Sequence, residues 1–436
     1  MRLTGFSKYE KYSSTDIQWF PEIPSSWITE KAKWLFLRAE RPVRIDDEIV
    51  TCFRDGEVTL RANRRTEGFT NALKEHGYQG IRKGDLVIHA MDAFAGAIGI
   101  SDSDGKSTPV YAACIPRFKN LVVPKFYAYY MRDLALSGFI VSLAKGIRER
   151  SSDFRFNDFA NLPLPLPPLE TQMKIVEFLD QKTAQIDEAI AIKEKQIELL
   201  KERKQVIIQK AVTQGLDPTV PMKDSGVDWI GEIPEHWKFK PLTKEVFVQE
   251  GPGIMAVDFH EEGVPLVRIA GVKTDTVTLE SCNYLKPSKV RQKWEHFKLN
   301  KGDLVISGSA STELVSEVEH EADGAILYTG LIRVTPQRNS VIKDYLKIFF
   351  GTYLFFTQVD LQKTGSTISH YGPSHLSRIF ILLPPTEEQK KIVDFTGSRK
   401  NETTEAVLIQ ELQIEKLKEY KTTLINNAVT GKIKVT

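Results

Sequence analysis

Apolar residues return every three or four positions along a stretch without Gly or Pro, between Pro168 and Gly215. Apolar residues lie seven positions apart at Leu179 and Ile186 and again at Leu200 and Ile207, with Ile190 and Ile197 on the alternate register. Pro167-Pro168 before the stretch and Gly215 and Pro218 after it are residue types that stop helices. At a rise of ~1.5 Å per residue, the pattern predicts one helix of roughly 65 Å whose apolar seam packs on another helix.

The same stretch recurs about 217 residues later. Pro384-Pro385 is followed by Gln389 and Ile392-Val393, as Pro167-Pro168 is followed by Gln172 and Ile175-Val176, and both stretches end on Ala-Val-Thr. Two unrelated coiled-coil helices would share heptads, but they would not share these beginnings and ends. The sequence therefore predicts an internal repeat in which two long helices satisfy each other by packing antiparallel. Gly397 falls inside the second helix, where we expect a kink or fraying.

Shorter motifs repeat at a similar spacing outside the helices. A Trp-x-x-Glu-Ile-Pro-x-x-Trp segment begins at Trp19 and again at Trp229; its prolines exclude a helix, and its tryptophans are expected to clamp an extended segment onto a domain. Lys-Gly-Asp-Leu-Val-Ile, at 83–88 and 301–306, predicts a turn that enters a buried strand. Further strands are predicted near residues 96–100 and 110–115, and shorter helices begin near Pro124 and Ile342. The residues from Gly215 to Gly226 have the composition of a linker.

These patterns predict a mixed α/β fold of two globular domains separated by two long antiparallel coiled-coil helices, with an internal pseudo-twofold repeat. The predicted segments are a first domain at 1–166, a central helix at 167–215, a second domain at 216–383 and a C-terminal helix at 384–436. Composition adds limits: 41% of the 436 residues are hydrophobic, and the net charge is only +2. The three scattered cysteines favour neither a disulfide framework nor a zinc site. With no signal-like or membrane-spanning stretch, we expect a cytoplasmic protein without a membrane partner.

The familiar catalytic motifs are missing. The chain has no phosphate-binding Gly-x-x-x-x-Gly-Lys-Ser/Thr loop, no His-Glu-x-x-His and no Gly-x-Ser-x-Gly. Gly251-Pro252-Gly253 resembles a dinucleotide loop only formally, since no βαβ unit surrounds it. The eight histidines have no metal-ligand spacing. We therefore expect no catalytic residue, no metal and no cofactor in this chain.

Polar loops at matching places in the two halves are the candidate functional sites. Arg, Ser, Thr, Asn and Gly backbone are the groups that contact phosphates and base edges, although a solvated charge run would look alike. The DNA-binding candidates in the first half are Arg61, Asn63, Arg64, Arg65, Arg148, Arg150, Ser151, Ser152 and Arg155. Those in the second half are Ser307, Ser309, Ser311, Lys363, Thr364, Ser366, Thr367, His370 and Tyr371. The positions repeat while the side chains differ, as reading two different half-sequences would require.

The order and duplication of these motifs resemble the specificity (S) subunit of type I restriction–modification systems over essentially the whole chain. The resemblance implies two target-recognition domains, each of which reads one half of a bipartite site in double-stranded DNA. It also implies that the helices hold the domains at a fixed separation and dock two modification (M) subunits. Those M subunits would bind S-adenosylmethionine and methylate adenine, and the full enzyme would add motor-nuclease (R) subunits.

Two other classes of protein fit the sequence less well than a specificity subunit. A nuclease or methyltransferase with divergent motifs is disfavoured by the missing catalytic residues. A purely structural coiled-coil adaptor would explain the helices, but it would leave two elaborate domains with basic loops unexplained.

Overall fold

A computed structural model describes residues 5–64, 67, 76–143, 154–273, 275–308, 315–362 and 371–435. The chain divides into two compact units. Unit 1 comprises Met1–Glu194 and Glu411–Thr436, and unit 2 comprises Lys195–Gln410. Each long helix contributes one part to unit 1 and another to unit 2, so the compact units cut across the four segments predicted from sequence.

Unit 1 alternates short strands with short helices before its first long helix. Its strands are β1 Tyr12–Ser14, β2 Glu22–Pro24, β3 Ile28–Lys31, β4 Phe36–Arg38, β5 Val50–Cys52, β6 Val58–Leu60, β7 Gln79–Ile81, β8 Leu86–His89, β9 Ile98–Ile100, β10 Gly105–Ser107, β11 Tyr111–Pro116 and β12 Pro163–Leu166. Its helices are α1 Ala32–Leu35, α2 Pro124–Leu136, α3 Phe139–Leu143 and α4 Phe156–Asn161, followed by the long α5, Leu169–Gln214.

Unit 2 follows a similar order, although its first α-helix lies between two later strands. Its strands are β13 Met222–Asp224, β14 Glu232–Pro234, β15 Lys238–Pro241, β16 Val246–Glu250, β17 Val264–Val267, β18 Asn283–Leu285, β19 Leu304–Ser307, β20 Val315–Glu317, β21 Ile326–Leu327, β22 Leu331–Pro336 and β23 Phe380–Leu383. Its helices are α6 Pro287–Lys289, α7 Lys343–Phe350, α8 Tyr353–Asp360 and α9 Pro373–Leu376, followed by the long α10, Thr386–Val429.

The same antiparallel four-stranded sheet lies at the centre of both units. Its strand order is β4-β11-β8-β9 in unit 1 and β16-β22-β19-β20 in unit 2. The predicted Lys-Gly-Asp turns lead into β8 and β19, whose apolar residues are buried. Asp85 and Asp303 are buried within these turns, and each accepts a hydrogen bond at 2.8 Å from a backbone N–H three residues earlier. The repeat predicted from sequence is therefore a repeat of the central sheet.

The seam predicted for the long helices is present. Leu179 and Ile186 are buried and the later seam residues of α5 are half-buried, at a spacing of three and four residues. Within unit 1, α5 and α10 run antiparallel: Lys421 Nζ donates to Asp187 at 2.6 Å, and Lys193 contacts Gln413. α10 continues through Gly397 from Thr386 to Val429, so the helix does not fray at this glycine.

A buried glutamine fixes the start of each long helix. Gln172 accepts a hydrogen bond from the Val123 backbone N–H at 2.9 Å and donates to the carbonyls of Leu121 and Pro167. Gln389 makes the equivalent bonds to Ile342, Ser340 and Pro384 in unit 2. The glutamine shared by the two Pro-Pro motifs thus ties each helix to the loop before α2 or α7.

The tryptophan segments behave as predicted, and the linker does not. Trp27 and Trp237 are buried, and the strands β2 and β14 lie between the paired tryptophans of their segments. The segment given a linker composition contains β13, which pairs antiparallel with β14 as β1 pairs with β2. Its polar residues satisfied the composition of a linker, but edge strands carry polar residues too.

Candidate nucleic-acid interface

The end of the central strand is built in the same way in both units. In unit 1, the N–H of Ala90, just after β8, donates to the Val110 carbonyl at 3.0 Å, and the N–H of Phe154 donates to the Ala90 carbonyl at 3.0 Å. In unit 2, Gly308 follows β19; it donates to the Gly330 carbonyl and accepts from the Tyr371 N–H, both at 2.7 Å. Each predicted loop that precedes a long helix therefore returns to the end of the central strand. We call these two places the strand-end edges of unit 1 and unit 2.

The strand-end edge of unit 1 opens into a cavity of about 620 Å³. Two of the predicted arginines, Arg61 and Arg64, line it. The sequence did not single out the other polar and aromatic residues there, which are Arg54, His89, Asp92 and Tyr111. The cavity combines guanidinium donors, a carboxylate acceptor and aromatic rings. Such groups can hydrogen-bond to base edges or contact phosphates.

Arg54 and Asp92 form the most exposed pair of this cavity. Arg54 Nη2 donates to Asp92 Oδ1 at 2.8 Å, and the arginine side chain is 68% exposed. The Asp92 backbone N–H in turn donates to His89 Nδ1 at 3.1 Å. The imidazole of His89 meets the ring of Tyr111 edge to face, with centroids 4.5 Å apart. Burial raises the pKa of the Tyr111 hydroxyl to about 12, so this ring stays neutral at physiological pH.

Arg64 is held more tightly than Arg54. Its Nη1 donates to Asp55 at 2.6 Å and to Glu57 at 2.8 Å, and its guanidinium lies 4.3 Å from the centroid of the Phe53 ring. Burial tends to raise the pKa of Asp55, but hydrogen bonds from the Glu57 backbone and from Arg64 lower it overall. Two carboxylates therefore share the positive charge of Arg64, which leaves it less able than Arg54 to contact an anion.

The strand-end edge of unit 2 has different chemistry. Glu250, at the end of β16, accepts hydrogen bonds from the Gly330 N–H at 3.0 Å and from the Thr329 hydroxyl at 3.4 Å. The guanidinium of Arg268 lies 4.3 Å from the centroid of the neighbouring Tyr328 ring and donates to Asn283 Oδ1 at 2.8 Å. This edge thus presents glycines, one carboxylate and a stacked arginine where unit 1 presents a charged cavity.

The other described candidates have mainly local contacts. Asn63 donates to Thr59 Oγ1 at 2.7 Å, and the Arg155 N–H donates to Asp158 at the start of α4. Ser307 and Tyr371 are only 3% and 6% exposed, so direct contact with DNA does not fit these two side chains. Tyr371 packs on Phe355 within the core of unit 2. The remaining candidates lie outside the described residues: Arg65, Arg148, Arg150, Ser151, Ser152, Ser309, Ser311, Lys363, Thr364, Ser366, Thr367 and His370.

Sequence reasoning missed Arg54, His89 and Asp92. Arg54 precedes Asp55-Gly56, and Asp-Gly between two short apolar runs is a hairpin signal that could have marked an exposed arginine at a tip. Within the described ranges, no group of three or more His, Cys, Asp or Glu residues could hold a metal ion. Across the same part of the chain, no helix is long and apolar enough to cross a membrane.

Comparison with known proteins identifies the family. The model of the type I restriction modification DNA specificity domain matches residues 78–202 and 234–415, which is more than half of the chain. The chain therefore belongs to the family of type I restriction–modification specificity subunits. The MjaVIII specificity subunit of Methanocaldococcus jannaschii is 28% identical over 324 residues, which cover 73% of this chain and 72% of that protein. The EcoKI specificity subunit of Escherichia coli K12 is 25% identical over 287 residues, or 64% of this chain and 58% of that one.

Two solved structures share the fold. A structure from work on assembly and conformational transition of the type I R-M system superposes with a TM-score of 0.70, 18% identity and coverage of 94% of this chain and 99% of that one. The crystal structure of the HsdS subunit from Thermoanaerobacter tengcongensis gives a TM-score of 0.56 at 18% identity, with 94% and 98% covered. The predicted mixed α/β fold with two domains and long helices is confirmed.

Proposed function

We propose that this chain is the non-catalytic DNA-recognition subunit of a type I restriction–modification complex. Each unit reads one half of a bipartite site in double-stranded DNA through its strand-end edge. One observation supports this proposal above the others. The two edges have the same backbone hydrogen bonds, Ala90 with Phe154 and Gly308 with Tyr371, but different side chains. A repeated scaffold with diverged edges is suited to two different half-sequences.

The long helices are the proposed spacers. α5 is a continuous helix of 46 residues that contributes to both units. A helix of this length spans on the order of 70 Å. Since each base pair advances the duplex by about 3.4 Å and rotates it, a fixed helix length would select one gap between the half-sites.

An insertion into α5 tests the spacer role. Four residues placed after Lys193 add about one helical turn, or ~6 Å, and should lengthen the preferred gap by about one or two base pairs. The matched control places the same four residues between Asp217 and Pro221, outside the helix, and should leave the gap unchanged. Sequencing of methylated sites in cells that carry either variant with its modification subunits measures the gap. An unchanged gap in the helix variant would refute the spacer role, whereas altered half-sequences would show that the helices take part in base reading.

The outer face of α5 is the proposed docking surface for the two modification subunits. Ile192, Leu199 and Val206 repeat every seven residues and are each more than half exposed, away from the seam. An apolar stripe of this kind on a long helix is typical of a surface that packs on a partner helix. Leu199→Asp should abolish co-purification of the modification subunits, and Ala184→Asp, an exposed position outside the stripe, should not. Undiminished co-purification of the Leu199 variant would contradict this placement.

The modification subunits, and not this chain, are proposed to hold S-adenosylmethionine, and motor-nuclease subunits complete the restriction enzyme. The purified chain should transfer no methyl group to its DNA site from radiolabelled S-adenosylmethionine until modification subunits are added. Methyl transfer by this chain alone would overturn the assignment as a recognition subunit.

A further inference from the structure

The position of Arg54 suits contact with a ligand better than stabilisation of the fold. It lies in the turn between β5 and β6, and its only described side-chain bond is the one to Asp92. With the arginine 68% and the aspartate 32% exposed, water screens this ion pair strongly. An ion pair this exposed adds little to folding stability. The ion pair is thus better explained by its effect on the orientation of the Arg54 guanidinium.

Hydrogen bonds from Arg132 restrain the backbone of Arg54. Arg132, on α2, donates at 3.3 Å to the carbonyls of both Arg54 and Gly96. Gly56 in the same turn has φ +89°, and a Cβ there would come within 2.8 Å of the Arg132 side chain. The tip of the hairpin between β5 and β6 therefore packs on the half-buried Arg132, which restrains the position of the Arg54 backbone.

The far end of the side chain is fixed as well. Asp92 bonds one nitrogen of the Arg54 guanidinium, and the contact between the Asp92 N–H and His89 Nδ1 at 3.1 Å holds the aspartate in its turn. A guanidinium is planar, and a carboxylate that holds it on one side fixes the orientation of the plane that contains its remaining donors. Those donors line a cavity of about 620 Å³ that has room for the edge of a base.

We propose that Arg54, positioned by Asp92, reads a guanine in the half-site bound by unit 1. Guanine presents two acceptors, O6 and N7, in the major groove, and the planar fork of arginine matches them with two parallel hydrogen bonds. Cytosine and adenine present an amino donor in the corresponding region, which would repel the fork. This assignment rests on the proposed function of the chain as a DNA reader. Asp92 is a positioning residue, since it acts through Arg54.

The chain offers a matched control in Arg44. Arg44 is also in unit 1, its side chain is 60% exposed, and it pairs with Asp104 at 3.1 Å, but it does not line the cavity. Arg44→Ala and Arg54→Ala therefore remove the same charge and a similar exposed ion pair. Arg54→Lys is the second informative variant, because lysine keeps the positive charge but lacks the two-donor fork.

The test uses the full chain expressed with its modification subunits, and methylated sites are mapped by sequencing. Arg54→Ala and Arg54→Lys should each lose the requirement for guanine at one position of one half-site, while the other half-site is unchanged. Arg44→Ala should give the parental sequence. A parental sequence from both Arg54 variants, or an equal loss of methylation at every site, would overturn the assignment. If the parental complex itself methylated no specific sequence, the proposed function would fail instead.

Binding of the purified complex to duplexes supplies the magnitude. Replacement of the guanine in the parental site should weaken binding of the parental complex by about 5- to 100-fold, and that of the Arg54→Ala complex by less than about twofold. Asp92→Ala should relax discrimination at the same base, and the double variant should relax it no further than Arg54→Ala alone. Relaxation at a different base, or additive effects in the double variant, would mean that Asp92 does not act through Arg54. Thermal unfolding of each complex shows whether the variants remain folded.

Discussion

The strand-end edges of the two units differ far more than the interiors beneath them. In unit 1 the edge holds the hydrogen-bond network of Arg54, Asp92 and His89. In unit 2, Glu250 accepts a hydrogen bond from the Gly330 N–H, and Arg268 lies over a neighbouring aromatic ring. Below the edges, contacts repeat almost bond for bond. The hydroxyl of Tyr127 donates to the Pro165 carbonyl at 3.1 Å, and that of Tyr345 donates to the Leu382 carbonyl at 2.9 Å.

This difference shows which parts of the chain are free to vary. A buried hydrogen bond has one geometry, and its loss leaves a polar group without a partner, so the repeat preserves it. A side chain at an edge faces solvent and its substitution costs little folding energy. Unit 1 and unit 2 can therefore acquire separate recognition chemistry without a change in their folds.

The largest expected effect tests whether the interiors are equivalent. Gln172→Met and Gln389→Met keep the length of the side chain but leave one backbone N–H and two carbonyls unpaired in each unit. Since Gln172 and Gln389 are fully buried, each change should cost about 3–5 kcal/mol of the free energy of unfolding. Urea unfolding with hydrogen exchange, which assigns the loss to its unit, measures both.

Gln181→Met is the control, because Gln181 is exposed on the same helix as Gln172. It should change the free energy of unfolding by less than about 0.5 kcal/mol. If one buried glutamine proved dispensable while the other did not, the two helix starts would not be energetically equivalent despite their matching bonds.

A smaller effect on stability is expected at a position where the interiors of the two units differ. Asp133 on α2 accepts a hydrogen bond from Asn426 Nδ2 at 2.7 Å, and burial raises the pKa of its carboxyl to about 6 despite that bond and the nearby Lys432. In unit 2, 218 residues on, Gly351 lines a cavity of about 240 Å³ instead. Unit 1 therefore contains a half-buried carboxyl where unit 2 has a glycine.

The sign of the pH dependence follows from the raised pKa. An unfolded aspartate titrates near ~3.9, so the folded chain binds this proton more tightly. The contribution of Asp133 to stability is complete below pH ~4 and is lost as pH rises through 6. Asp133→Asn should therefore be stabilised relative to the parent as pH rises from 4 to 7, by at most about 3 kcal/mol. Urea unfolding across this range measures it, and a difference that did not grow with pH would contradict a raised pKa.

Much of this architecture was predictable because it rests on periodicity and repetition. The seam of α5, the strands after Lys-Gly-Asp and the buried tryptophans each follow from a local pattern that burial must satisfy. β13 was missed because a three-residue edge strand has no pattern of its own. A kink or fraying was expected at Gly397, and α10 does not fray there, because the cost of one glycine is about 1 kcal/mol, which the rest of a 44-residue helix offsets.

The candidate site was less predictable, since it depends on residues far apart in sequence. Arg54 and Asp92 are 38 positions apart, and only the pairing of β5 with β6 and the end of β8 bring them together. The sequence pointed to Arg64 and not to Arg54, although Asp55 and Glu57 already share the charge of Arg64. Tyr371 looked like a polar loop residue, and only the packing of α8 shows that its ring is buried. Side-chain direction and partner choice are properties of the folded chain.

The smallest expected effect concerns the glycines that end the two long helices. Gly215 and Gly431 both have positive φ, +77° and +73°, so alanine is strained at either position. A Cβ at Gly431 would come within 2.5 Å of the Pro24 ring, whereas one at Gly215 would meet Glu388 Oε1 at 3.0 Å. A glutamate carboxylate can swing away, but a proline ring in β2 cannot. Gly431→Ala should therefore destabilise unit 1 by roughly 1 kcal/mol more than Gly215→Ala destabilises unit 2. Urea unfolding of the two variants, with hydrogen exchange to assign each loss, measures this difference. Equal losses would mean that the contact between Pro24 and the helix end relaxes as easily as the one made by Glu388.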